Sequence, residues 1–255
     1  MNASSLEFSI LIPALLAGLL VTATHVPLGI QVLQRGIVFI DLAIAQIAGL
    51  GIMLADLFGW EPQGWGAQGV AMSAAIIGAV VLTWAEKHWP DVQEATIGVS
   101  FVLAASAAIL LLAGNPHGGE HLKDLLVGQI LWVNVKTLLP VLLVYAVILA
   151  VWFGARERVG RAGFYVLFAC AVTISVQLVG VYLVFAGLII PALATRKFKS
   201  RRLAVAYAAS ALGYASGLVL SSLFDLPSGP VIVWSMAVIA VMIYAVRQKM
   251  QGAQA

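Results

Sequence analysis

Apolar residues in this chain fall in long uninterrupted runs rather than in strict alternation or as one stripe of a surface helix, and the polar residues collect between the runs. Runs long enough to cross a hydrocarbon core of roughly 30 Å lie at about 8 to 26, 37 to 58, 68 to 85, 95 to 113, 136 to 153, 203 to 223 and 229 to 246. A further run, 163 to 195, covers about 33 residues. It is too long for one crossing and short for two, and Gly180, Gly187 and Pro191 interrupt it. The predicted fold is all-α: a polytopic membrane helical bundle, one transmembrane domain over residues 1–255, with eight crossings or, if 163–195 is a broken pair, nine.

The placement of cations separates these counts. With 163–195 crossing once, the best arrangement leaves nine of the 14 Lys and Arg on the inner side and five on the outer. With two crossings, Arg35, Lys87, Arg156, Arg158, Arg161, Arg196, Lys197, Lys199, Arg201, Arg202, Arg247 and Lys249 all face inward, and only Lys123 and Lys136 face outward. Twelve against two obeys the positive-inside rule far better. The expected topology therefore has an outer N-terminus, an inner C-terminus and a break in the 163–195 run. Irregular backbone at membrane depth survives only where protein or a water-lined cavity covers it, so Gly180 to Pro191 is expected to be buried or to line a path.

Composition closes other classes. At 62% hydrophobic and 10% charged residues, with a mean hydropathy of +1.02, the chain is unlike a soluble globule. The net charge of +3 sits at the ends of apolar runs, which speaks for a lipid bilayer as surroundings and against a nucleic-acid partner. Cys170, the single cysteine, lies in an apolar run and reads as packing, with no disulfide framework or thiolate cluster available. No Lys or Arg precedes Arg35, so the N-terminal run lacks the charged region of a cleaved signal peptide and reads as a retained first span. There is no Walker motif, Gly-rich phosphate loop or paired-carboxylate site with a nucleophile. By this reading the chain is no enzyme on its own and binds no cofactor. Nor do two halves carry corresponding interrupted spans, as an inverted-repeat carrier would.

Four groups of residues remain as candidates. The stretch Val181 to Arg202 ends in five cations, Arg196, Lys197, Lys199, Arg201 and Arg202, with no acid among them. It reads either as a docking surface at a membrane exit or as an ordinary cytoplasmic loop. Asp41 and Gln46 stand near the start of the second span among small residues. A carboxylate there either faces a cavity or partner or caps the helix, where the N-terminal dipole favours its charge. His25 ends the first run and is a candidate ligand or a backbone-satisfied core residue. The loop between the fourth and fifth spans holds His117, Glu120 and His121, donors of the type that hold zinc and related ions, or a solvated loop that merely contains them. Gly213 and Gly217 form a small-xxx-small face suited to close helix packing. Trp60, Trp65, Trp84, Trp89 and Trp132 sit near span ends, as an interfacial belt does.

Five ordered segments carry a family resemblance: PLGIQVLQRGIVFIDLAIAQIAGLG (27–51), EATIGVSF (94–101), LLVGQIL (125–131), VFAGLIIPALATR (184–196) and DLPSGPVIV (225–233). Over nearly its whole length the chain resembles bacterial membrane permeases of the metal-type ATP-binding-cassette importers, the zinc, manganese and iron uptake group. The resemblance implies a homodimer in the bacterial inner membrane, cytosolic ATP-binding subunits that use the ATP, and an extracytoplasmic metal-binding protein that delivers a divalent metal as substrate. It places a short coupling helix at about 195–203, which gives the five cations an ATPase to dock. Alternatives of other classes are a permease for a metal chelate or other small solute, and an ATP-independent channel or carrier. One departure stands out. The family carries an Asp and a His four residues apart on the second span, and alignment on Gly51 puts Leu42 and Gln46 there, with Asp41 one position early. The implied pathway set becomes Asp41 and Gln46, with His25 as the next candidate.

The topology is open to a direct check. In a Cys170-free background, single cysteines at Ser4 and Ser200 should label from the outer and the cytoplasmic side respectively. Labelling of Ser4 only from the cytoplasm rules the arrangement out.

Overall fold

The structure, a computed structural model, describes residues 8–61, 64–112, 126, 128–198 and 200–252. Among them are nine α-helices and no strand. The helices are α1 (Phe8–Arg35), α2 (Ile40–Leu57), α3 (Trp65–His88), α4 (Gln93–Leu112), α5 (Val135–Gly154), α6 (Arg156–Val179), α7 (Val181–Ala194), α8 (Arg202–Phe224) and α9 (Ser228–Gly252). Eight are long and apolar enough to cross a membrane, and α7 is the shorter ninth. The all-α bundle expected from the run pattern is what the chain forms.

The 163–195 run is a broken pair. Gly180 lies between α6 and α7 with φ 81°, ψ 163°, a backbone conformation that costs an L-residue far more than glycine. Gly187 and Pro191, read as further interruptions, are both inside α7. Proline this close to a helix end frees only a carbonyl one turn back, so the helix continues three residues beyond it. At 1.5 Å per residue the 14 residues of α7 reach about 21 Å, short of a full crossing. Its side chains are buried along most of its length, Leu183, Val184 and Leu188 completely so. The expectation that this segment is covered by protein holds.

The chain gathers into two compact units, Met1–Arg35 with Val127–Tyr145 and Leu178–Ala255, and Gly36–Leu126 with Ala146–Gln177. In the first, α1 packs on α7 and α8, and α9 packs on α8 and α7. Close approach explains the small residues. A side chain at Gly29 would strike the backbone carbonyl of Leu188 on α7, so only glycine lets α1 lie there. Gly213 and Gly217 face Met236 and Ile232 of α9, which makes that pair an intramolecular packing face. In the second unit, α2 packs on α3 and α4, and α3 offers α2 a smooth row of fully buried alanines, Ala67, Ala71, Ala75 and Ala79, spaced one turn apart. Trp152, Phe164 and Phe168 form an aromatic cluster, with ring centroids 5.7 Å apart in each pair with Phe164. Outward-facing Leu103, Leu110, Trp234 and Val241 are exposed, as lipid contact requires. The five belt tryptophans are exposed and stand within about a turn of helix ends.

Helix α1 runs nine residues past the predicted boundary at 26, through Pro27. Pro27 has no N–H to give to the carbonyl of Ala23, four residues back. The Tyr207 hydroxyl on α8 donates to that carbonyl instead, at 2.9 Å. A second link, Thr22 to Ser210 at 2.9 Å, ties the same two helices. Tyr207→Phe should therefore destabilise the purified protein by about 1–2 kcal/mol, read as a lower thermal midpoint in detergent. The penalty should shrink in a Pro27→Ala background, where residue 27 regains its own N–H for Ala23; an equal penalty in both backgrounds refutes the account.

Candidate functional site

The connection from α1 to α2 turns at Gly36, with φ 73°, and Ile40 N–H bonds back to the Ile37 carbonyl at 3.2 Å. Glu94, at the start of α4, accepts from the Phe39 N–H at 3.4 Å. An acid on a neighbouring helix thus meets one of the donors that a helix start leaves open. Asp41 follows in the first turn of α2, 1% exposed. The N-cap of α2 is Phe39 and carries no side-chain capping bond. Neither Asp41 oxygen reaches a hydrogen-bond partner among the described residues; the nearest donors are the backbone N–H groups of Asp41 itself and Leu42. Asp41 therefore gains from the helix dipole without making a cap.

Gln46 is also buried, 4% exposed. Five residues of α-helix separate the two by about 140° around the axis and about 7.5 Å along it. They point in different directions from one helix, whereas Leu42, half-buried, shares the Gln46 face. His25 lies in the first unit, on α1, completely buried. Thr24 donates its hydroxyl proton to the Val21 carbonyl at 3.2 Å, so the 3.1 Å contact between Thr24 Oγ1 and His25 Nδ1 has the ring nitrogen as donor. The tautomer is then fixed with a lone pair on Nε2, which has no partner among the described residues. Among the described residues no three or more His, Cys, Asp or Glu side chains gather closely enough to hold a metal. His117, Glu120 and His121 lie outside the described residues.

The cationic segment also takes shape. Residues 195–198 and 200–201 form turn and bend rather than the short helix implied by resemblance: Phe198 N–H closes on the Thr195 carbonyl at 2.9 Å, and α8 begins at once with Arg202. Lys199 lies outside the described residues. The cations differ in their engagements. Arg202, half-buried, reaches the Ala192 carbonyl at 3.4 Å, one of the four that the end of α7 leaves open. Lys197 stands 5.6 Å from the centre of the Tyr244 ring, and Arg247 covers Phe198 at 4.1 Å. Arg196 and Arg201 are exposed. Part of the segment thus holds its own turn together, and part faces outward.

Thr173, Ser175 and Gln177 sit at alternate positions late in α6, and their spacing as polar residues within an apolar span is visible in the sequence.

Comparison with known proteins covers nearly all of the chain. A sequence model of the ABC 3 transport family matches residues 7–159 and 153–247. The chain belongs to the ABC 3 transport family. The resemblance drawn from the five segments is therefore correct, and the family is one of membrane permease subunits. The high-affinity zinc uptake system membrane protein ZnuB of Haemophilus influenzae is 24% identical over 249 residues, 89% of this chain and 93% of that protein. The uncharacterized membrane protein slr2045 of Synechocystis is 26% identical over 251 residues, 90% of this chain and 88% of its own length. Among solved structures, a chain of PsaBC from Streptococcus pneumoniae in complex with Fab has the same fold, with a TM-score of 0.75, 19% identity, and coverage of 93% of this chain and 92% of that one.

Proposed function

We propose that this ABC 3 permease is the membrane subunit of an ATP-driven importer of divalent metal ions, zinc or manganese. It works in the bacterial cytoplasmic membrane as a homodimer, with its N-terminus outside, cytosolic ATP-binding subunits docked on the segment at 195–203, and an extracytoplasmic metal-binding protein feeding it. Family membership and the zinc-uptake relative support the class. One observation carries the assignment of the path: Asp41 buries a carboxylate in a span where neither oxygen meets a partner side chain among the described residues. Such a group is costly in a membrane protein and marks an ion pathway by default. A passing divalent cation is the charge it lacks.

Asp41 and Gln46, so separated around α2, serve as successive positions for the ion rather than as two ligands of one site. His25, with its lone pair on Nε2, is a further pathway ligand. The His117, Glu120 and His121 loop is a collecting site on the outer face. Leu42 and Gln46, in place of a carboxylate and an imidazole, favour one second reading: a chelated metal as cargo, which needs fewer strong ligands. Uptake by the reconstituted complex, over a panel of free and chelated ions and with or without ATP, decides between them. Uptake that ignores ATP points to a channel or carrier instead.

Asp41→Asn should abolish uptake while leaving the yield of folded protein equal or higher, because the neutral side chain is cheaper to bury. Gln46→His should shift preference toward zinc over manganese, since imidazole suits the softer ion. Normal transport by Asp41→Asn, or an unchanged ion preference in Gln46→His, removes that residue from the path.

Docking has its own test. Reversing Arg196 and Arg201, which are exposed, should reduce co-purification of the ATP-binding subunit, most clearly at low salt where exposed charges are least screened, with no change in the thermal midpoint of the permease. Arg202 is a poor choice because it also holds the end of α7. Full co-purification after the double reversal counts against this surface.

A further inference from the structure

The late part of α6 carries three polar side chains in an apolar stretch, and they are not equivalent. Ser175 is satisfied as hydroxyls commonly are in membrane helices: its Oγ donates to the Ala171 carbonyl, four residues back, at 2.7 Å. Thr173 has the corresponding carbonyl available on the same helix, yet its Oγ1 takes a rotamer that meets no partner among the described residues. It is 1% exposed. Gln177, one turn further on, has its Nε2 buried and equally unpartnered. Residues four apart lie on one helix face, so Thr173 and Gln177 make a short polar stripe that ends three residues before the Gly180 break. Both belong to the same compact unit as Asp41 and Gln46.

A buried hydroxyl or amide without a partner is costly in a medium that offers no water. An apolar residue of the same shape removes that cost, so the polar groups contribute nothing to stability where they stand. Their chemistry fits a ligand that is polar but not demanding. A hydroxyl and a primary amide present donors and acceptors together and carry no charge. A bare zinc ion selects imidazole, thiolate or carboxylate. A cation that keeps its water shell presents water hydrogens, which Thr173 Oγ1 can accept, and the oxygens of its outer waters, to which the unpartnered Gln177 Nε2 can donate.

We propose that Thr173 and Gln177 form a neutral hydrogen-bonding station on the translocation path, where the cargo is held as a hydrated divalent cation. The inference rests on the importer reading above and adds the state in which the ion travels. Weak neutral contacts are what a conducting path needs at an intermediate stop, since the ion must leave as readily as it enters.

The test uses the complete permease and ATP-binding complex in proteoliposomes, with zinc chloride and manganese chloride as probes. The variants are Thr173→Val, Gln177→Leu, the two together, and Thr173→Ser. At sub-saturating metal each single apolar variant should lower uptake by about fivefold, the value of one hydrogen bond, and the double variant by roughly tenfold or more. The thermal midpoint of the same preparations should be unchanged or higher, because a buried unpaired group has gone. Thr173→Ser, which keeps the hydroxyl, should retain uptake. Wild-type rates in the double variant overturn the proposal, as does a loss of uptake that tracks a loss of thermal stability. If the wild-type complex takes up neither metal, the importer reading falls and this inference with it; wild-type uptake with unaffected variants overturns the inference alone.

Discussion

In a hydrocarbon core every backbone N–H and C=O must find its partner within the protein, and most of this molecule follows from that one demand. It makes the described chain helical and allows interruptions only where something else meets the freed groups. Pro27 opens the hydrogen-bond ladder of α1, and Tyr207 closes it from α8. Gly180 ends α6, and the helix that follows is buried. Glu94 meets an open donor at the start of α2, and Arg202 an open carbonyl at the end of α7. Several polar residues of this apolar chain thus serve to close helix ends and breaks.

Lipid tails are as apolar as a leucine side chain, so association of these helices draws on close packing and hydrogen bonds rather than on release of water. The small residues stand where that argument requires them. Gly29 lies against the Leu188 backbone and Gly217 against Ile232, and the alanine row of α3 is covered while leucines of α4 remain outside. Large apolar side chains are therefore no guide to the interior here, and small ones are.

Against this background the buried polar groups that repair nothing are the functional candidates. The Asp41 oxygens, the Nε2 of His25, the Oγ1 of Thr173 and the Nε2 of Gln177 have no partner among the described residues. Each costs stability where it stands, which is what singles these groups out for the proposed path. Residues that look alike in the sequence separate on this criterion: Ser175 and Thr173 are two positions apart, and only the first is satisfied within its own helix.

The run pattern was enough to determine the helical class and the break within 163–195, because crossing length and the cost of unpaired backbone act on local sequence. The five motif segments were enough to find the family. The end of α1 was misjudged because Pro27 normally stops a helix, and the hydroxyl that lets it continue comes from a residue 184 positions away. The form of residues 195–198, a turn whose Phe198 is held by Arg247, was equally out of reach. The divergence of Asp41 and Gln46 around α2, by contrast, follows from their five-residue spacing alone. Sequence names the polar residues in a span; only the tertiary structure decides which of them are satisfied, because partners for a buried hydroxyl, carboxylate or carbonyl are supplied by helices far away along the chain.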